Sequence, residues 1–388
     1  MAGMSLEPTR SHPVQPADLC YLNNASVGLQ SPAVSARLRD WLEAEMAAYP
    51  RQRLESAFWD GQATRTRLGH WIGAPEAQVA FGASTSQLMA QVIGSLNLSG
   101  RRLLVAPGEW ASNIVMLRRL GREPPRAIEL LATDATGRLD MAAIARQIDD
   151  DVAAILTPLV TSIEGRRYEV EALGDLPRPS HCPLIVDAAQ GLGQTEIDVR
   201  RLGCDVLVAT TRKWLRGPRG MALLYVSQPA MAMMHLNPTP ELAGLRLETE
   251  TQRFVDLPRA RRFDASDLSV MSQVALTAAL NELQQIALEP MRDHLAVLAG
   301  RVYDIAREQG VRPLLPHPET GIATIHLPDI EPLQVRQRLD AAGIVAKTCS
   351  TSAEPLNVRL PTTGTLLRIS PHWHNTSADI DRAMAALR

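Results

Sequence analysis

Between residues 79 and 226 the chain repeatedly sets a short apolar run before a stretch of helical character, and this alternation constrains the fold most. VAFGA leads into STSQLMAQVIGSL, RLLVAP into SNIVMLRRLG, and AIELLAT into DMAAIARQI, after which come VAAILTPLV, PLIVDAA, DVLVATT and MALLYVS. Continuous apolar runs without polar alternation suit strands covered on both faces, so a parallel or mixed sheet between helices is predicted. MALLYVS follows TTRKWLRGPRG with no intervening helix, and a strand reached by so short a connection is expected to enter antiparallel.

The character changes after this last run. Residues 229–264 are rich in Pro, Arg and Glu and show no period; LETETQRF within them reads as a solvated surface or a dimer contact. Two long helices are predicted in VMSQVALTAALNELQQIAL and MRDHLAVLAGRVYDIAREQ. Strand IATIHL, helix LQVRQRLDAAG, strands IVAKT and TLLRIS, and helix ADIDRAMAAL complete the chain, with Thr376 and Asp379 as a capping box for the last helix. The predicted class is α/β: a large domain over 21–255 with a mostly parallel central sheet, then a smaller α+β domain over 256–388. Residues 1–20 are expected to pack on the small domain as an N-terminal segment.

A formal net charge of −2 gives no electrostatic reason to expect nucleic acid or an acidic membrane as partner. No run of about 18 apolar residues is present, and MAGMSLEPTRSHPVQPADLC lacks the basic and apolar regions of a secretory signal. Cys20, Cys182, Cys204 and Cys349 are scattered without a CxxC pair, which argues against a disulfide framework or structural zinc. A cytoplasmic location is expected.

Basic residues are distributed very unevenly by type. Of 40 lysines and arginines only Lys213 and Lys347 are lysine. Arginine stays protonated at any useful pH, whereas a lysine amine can lose its proton and attack a carbonyl. Lys213, set between two arginines in TTRKWLRGPRG, is therefore a candidate for amine chemistry; alone it reads equally well as a surface lysine.

Its neighbours narrow the choice, because functional groups collect at the carboxyl ends of parallel strands. Asp187 closes LIVD, Thr210 and Thr211 close VLVATT, and Ser84, Thr85 and Ser86 follow VAFGA at a helix start. A carboxylate ending an apolar strand needs a cation or a donor, and hydroxyls at a helix N-terminus suit a phosphate. Singly, each reads as a turn or cap residue. Together they suit pyridoxal phosphate, which needs a lysine for its aldehyde, a carboxylate for its ring nitrogen and a phosphate cradle. HWH at 372–374 lacks Cys, Asp or Glu companions and is expected to serve a loop or pocket rather than a metal. GLG at 191–193 lacks the third glycine of a dinucleotide fingerprint.

From YLNNASVGL onward the chain resembles the class V aminotransferase and cysteine desulfurase group, enzymes of fold-type I architecture. VDAAQGLGQTEIDV is similar to the group's aspartate segment, TTRKWLRGPRG to its lysine segment, GEWASN to the place of its ring-stacking residue, and LLRISPHWHNT to its closing arginine motif. The resemblance implies that Lys213 bonds the cofactor and acts as base, Asp187 pairs with the pyridine nitrogen and Gln190 bonds the ring hydroxyl. It further implies Thr210 and the Ser84, Thr85 and Ser86 cluster at the phosphate, Trp110 over the ring, and Ser162 and Arg212 among the cofactor contacts. Arg368 would grip the substrate carboxylate, with Asn24 and Ala25 beside it. A homodimer with active sites at the interface, acting on a small amino acid, is implied too.

Departures from the desulfurase pattern point to one branch. Arg212 and Ser162 stand where desulfurases carry histidine and asparagine, and Cys349 lies slightly early for their catalytic loop. Cys349 is thus expected to be a small apolar residue at a strand end. These features resemble the isopenicillin-N-epimerase-like branch, and within it the hercynylcysteine sulfoxide lyases, in which ARRFDASDLS at 260–269 would offer an acidic residue in place of a threonine from the neighbouring subunit. The implied activity is C–S lysis by β-elimination, releasing pyruvate and ammonia; an aminotransferase or epimerase is the alternative, a desulfurase less so. The roughly 20 residues before YLNN leave no room for a helix-turn-helix, so a cofactor-sensing regulator is not expected.

Overall fold

Six of the seven strands in the central sheet run one way, and the seventh is the one expected to differ. The computed structural model describes residues 19–47, 50–98, 100–119, 125–234, 245–264 and 268–388, with 50–60 as backbone only. Spatial order across the sheet is Val79–Gly82, Ala222–Val226, Val206–Thr210, Leu184–Asp187, Val152–Pro158, Arg102–Val105 and Ala127–Leu130. Ala222–Val226 is antiparallel to both neighbours and the remaining pairs are parallel. The central strands are buried along their whole length because helices cover both faces, which is why they read as unbroken apolar runs.

A four-stranded antiparallel sheet forms the smaller unit, in the order Arg312–Pro313, Ala323–Leu327, Thr365–Ile369, Lys347–Cys349. The helices Leu288–Glu308 and Ser377–Ala385 pack together beside it, and the latter carries the Thr376 and Asp379 capping box. IVAKT, read as one strand, serves two sheets. Ile344–Val345 pairs in parallel with Cys20–Tyr21, while Lys347–Cys349 joins the four-stranded sheet.

The division of the cores does not follow the expected break at 255/256. Ala260 and Phe263 pack in one core of the large sheet, Leu276, Leu280, Met291 and Leu295 in the other, and the small core begins at Leu298 on the same long helix. Of the segment expected to pack on the small domain, residues 1–18 lie outside the described residues, while Cys20 and Leu22 are in the small core. Two helices were not anticipated, Pro32–Ala47 and Pro50–Trp71; both pack against Val270–Ile286, the first through Val34, Leu38 and Trp41. These three stand at helical spacing, but the stripe is short and set among charged residues. Within 229–264 lie a short helix, Gln228–Met233, and the hairpin Leu245–Glu248 with Arg253–Asp256, whose largely exposed strands hide their period. LETETQRF spans that hairpin's turn.

Candidate active site

Leu184–Asp187 and Val206–Thr210 lie side by side in mid-sheet, and their carboxyl ends open on one cavity of about 340 Å³. The size falls within the range of small-molecule sites, roughly 300–1,000 Å³. The small sheet closes the other side through Lys347, Cys349 and Arg368.

Asp187 forms the floor. It is buried, and its carboxylate accepts from Ala189 N at 2.8 Å and from Asn113 Nδ2 at 3.0 Å. The same Asn113 amide donates to Glu109 Oε1 at 2.7 Å, which also accepts from Trp110 N at 2.9 Å. Glu109 Oε2 is buried without a hydrogen-bond partner. Burial, then the Asp187 charge, push Glu109 up to about 8, so it holds its proton at neutral pH. Burial also raises Asp187, opposed by the Ala189 N–H, by Lys213 and by Asn113. One shared amide thus links a neutral acid to the carboxylate under the cavity.

Lys213 projects from a tight loop after Val206–Thr210. The open cavity leaves it some exposed surface, but protein atoms crowd the amine, and their desolvation dominates. Against the pull of Asp187, and helped by the Arg212 and Arg368 charges, burial lowers the amine to about 7, within reach of the neutral form. The residue 25–29 segment holds this loop closely. Gly28 N donates to Arg212 O at 2.6 Å, and a Cβ at Gly28 would lie 2.0 Å from Lys213 O, so no larger residue passes there. Arg216 adopts a left-handed φ of 54°, a strained conformation for a non-glycine residue. Its side chain is buried, bonding Leu29 O at 2.6 Å and lying over the Trp373 ring at 5.3 Å.

Gln190 is fixed from both sides. Its Oε1 accepts from Trp214 Nε1 at 2.9 Å, which turns Nε2 toward Ala25 O at 2.9 Å and Ser162 Oγ at 3.2 Å. Arg368 extends from Thr365–Ile369 and donates to Ser162 O at 2.7 Å and Ser26 Oγ at 2.6 Å, while its Nε is buried without a partner. Arg212 donates to Ser26 O.

Of the residues predicted for the site, Lys213, Asp187, Gln190, Thr210, Thr85, Ser86, Trp110, Ser162, Arg212, Arg368 and Ala25 all line this cavity. Two do not. Ser84 accepts from Gln87 N as the N-cap of Thr85–Ser95, and Asn24 bonds Ser370 O at 2.9 Å and Leu29 N at 3.2 Å. Asn24 therefore joins the chain's first strand to its last instead of facing a ligand. The reading missed Glu109, Ser26 and Lys347, which line the cavity, and Asn113. Asn113 had a signal, standing four residues after Glu109 where a helix begins. Cys349 sits in the cavity wall rather than only at a strand end, and burial pushes its thiol up, opposed by Arg368.

His372 is fully buried: Nε2 donates to Trp214 O at 2.9 Å and Nδ1 accepts from Trp373 N at 2.9 Å. Burial lowers it to about 3, so it is a neutral structural residue beneath the lysine loop. In ARRFDASDLS, Asp264 is engaged within its own chain by Arg65, and Asp267 lies outside the described residues.

The donor set fits pyridoxal phosphate. A buried carboxylate with no bonded cation among the described residues, an amine that burial favours as neutral, and hydroxyls at the N-terminus of Thr85–Ser95 are the three partners it needs. The buried, unpartnered Arg368 Nε remains for a carboxylate.

Comparison with known proteins agrees with this arrangement. The family model for class-V aminotransferases matches residues 20–383. A probable hercynylcysteine sulfoxide lyase of Mycobacterium tuberculosis (strain CDC 1551 / Oshkosh) is 28% identical over 379 residues, covering 95% of this chain and 89% of that one. A probable cysteine desulfurase of Pyrococcus abyssi is 25% identical over 333 residues, covering 84% and 81%. Among solved structures, a cysteine desulfurase from Thermococcus onnurineus NA1 superposes with a TM-score of 0.84 at 20% identity, covering 95% of this chain and 94% of that chain. Its fold-type I architecture is the one described above.

Proposed function

The chain belongs to the class-V aminotransferase family of pyridoxal-phosphate-dependent enzymes, and from that premise we propose that it is a C–S lyase acting on a sulfur-substituted cysteine or its sulfoxide. Net, the substrate and water give the sulfur product, pyruvate and ammonia. The observation that carries the reading is the contrast between Lys213, lowered toward a neutral base, and Cys349, raised away from a nucleophilic thiolate, in one cavity. Cys20, Cys182 and Cys204 are buried in the cores and none lines the cavity. The relative named as a hercynylcysteine sulfoxide lyase supports the same choice.

When bound, pyridoxal phosphate supplies the electron sink for carbanion chemistry at Cα. Arg368 holds the substrate carboxylate through its fork, and Ser26 and Ser162 fix the guanidinium in place. Lys213 takes the Cα proton as general base. Glu109, pushed up by burial, adds no competing charge beside Asp187, whose own burial-raised value is opposed by the Ala189 N–H, Lys213 and Asn113. A homodimer completing the site from the neighbouring subunit belongs to this proposal.

The test is product analysis with S-substituted L-cysteines and their sulfoxides. Pyruvate should appear in step with the sulfur product, Cys349→Ser should keep turnover, and Lys213→Arg should lose it together with borohydride fixation of the cofactor. Alanine as product, lost in Cys349→Ser, would make the enzyme a desulfurase. A keto acid keeping the whole side chain, formed only with an amino acceptor, would make it an aminotransferase.

A further inference from the structure

The chain's two lysines line one cavity, although arginine serves nearly every other basic position. Lys347 stands directly opposite Arg368 in the antiparallel pairing of Lys347–Cys349 with Thr365–Ile369. Directly opposed residues point to the same face, and like charges so placed repel. Among the described residues no carboxylate forms an ion pair with Lys347 to relieve this, and Asp187 and Glu109 lie on the far wall, in and beside the large sheet. The two cations sit at different depths: Arg368 is buried and braced by Ser26 and Ser162, whereas Lys347 is exposed at the mouth.

We propose that Lys347 is a specificity-determining residue, binding a second anionic group, a carboxylate, at the far end of a substrate whose α-carboxylate is held by Arg368. A flexible stem with three donors suits a distal group whose position varies with substituent length, while the fixed fork suits the invariant α-carboxylate. The preferred substrates are then cysteines whose sulfur substituent ends in a carboxylate. This rests on the amino-acid reading above for the role of Arg368.

Equilibrium binding separates the two ideas because it reads no turnover. Titration calorimetry of the pyridoxal-phosphate-loaded enzyme compares adipate with hexanoate, a dicarboxylate with a monocarboxylate of equal length. Adipate should bind about 10-fold tighter, as expected for one added charge-assisted contact. Lys347→Gln should bring the ratio to about one and Lys347→Arg should restore most of it, both with unchanged cofactor absorbance. No preference in the wild type overturns the proposal. So does equal weakening of both ligands in Lys347→Gln, which would mean that Lys347 shares the α-carboxylate with Arg368. Adipate preference without pyruvate release would sink the elimination reading and leave this subsite standing.

Discussion

Asp187, at the end of a strand of the large sheet, and Asp264, packed against that sheet's edge strand at Phe81, are both buried carboxylates that differ in what meets them. Asp264 accepts from Arg65 Nη1 at 3.1 Å and Nη2 at 2.9 Å, from Phe81 N at 2.8 Å and from Arg261 Nε at 3.3 Å. Arg65 also donates to Val79 O at 2.9 Å and lies 4.5 Å over the Phe81 ring, with its Nε buried and unpartnered. Among the described residues Asp187 has two neutral donors and no bonded cation, and the neighbouring acid, Glu109, keeps an unpartnered oxygen. A buried carboxylate with a full set of partners fastens secondary structure. One left short of positive charge keeps a place for a ligand that brings it.

The same substitution at both places is the sharpest way to break that distinction. Asp187→Asn should cut turnover by roughly 10²–10⁴-fold, because the ring nitrogen loses its counter-charge, while thermal stability holds or rises. Kinetics alongside a melting curve decide it; near wild-type turnover would remove Asp187 from the chemistry. Asp264→Asn should do the reverse. It leaves Arg65 buried without a counter-charge, costing about 3–5 kcal/mol in denaturant unfolding, and turnover per folded molecule should hold. A smaller effect comes from Glu109. Its raised value means that the folded state holds a proton from about pH 4.5 to about 8 that the unfolded chain has released, so its contribution to stability falls as pH rises through that window. In cofactor-free protein, the stability of wild type relative to Glu109→Gln should fall across this range by on the order of a few kcal/mol. A flat difference would mean that Glu109 is ionised when buried and that Asp187 has no neutral companion.

How much of this could be read from residues alone follows the range of each interaction. Strands buried on both faces announced themselves, and the antiparallel Ala222–Val226 followed from its short connection. Lys213 stood out against a background of arginine, and Asp187 against the apolar run it ends. Helix Pro32–Ala47 carried a weaker signal, a short stripe of Val34, Leu38 and Trp41 among charged residues. Asn24 was misplaced because its partner, Ser370, lies 346 residues away, and only the fold shows that its amide is already spent. Lys347 shared the rarity of Lys213, but its place in the cavity depends on standing opposite Arg368, which is a matter of strand register.

The seam between the beginning and the end of the chain also has a consequence for the order of folding. Cys20–Tyr21 rests on Ile344–Val345, Asn23 bridges to Ser370, and the 25–29 segment that follows clasps the lysine loop. Closing a loop of that length costs more entropy than joining the successive strands Val152–Pro158, Leu184–Asp187 and Val206–Thr210 of the large sheet, so those contacts can form earlier. During synthesis the lysine emerges well before Lys347, Cys349 and Arg368, which close one side of its cavity. The cavity is therefore completed only after Arg368 is made, and a chain ending before Thr365 would lack the arginine that closes it.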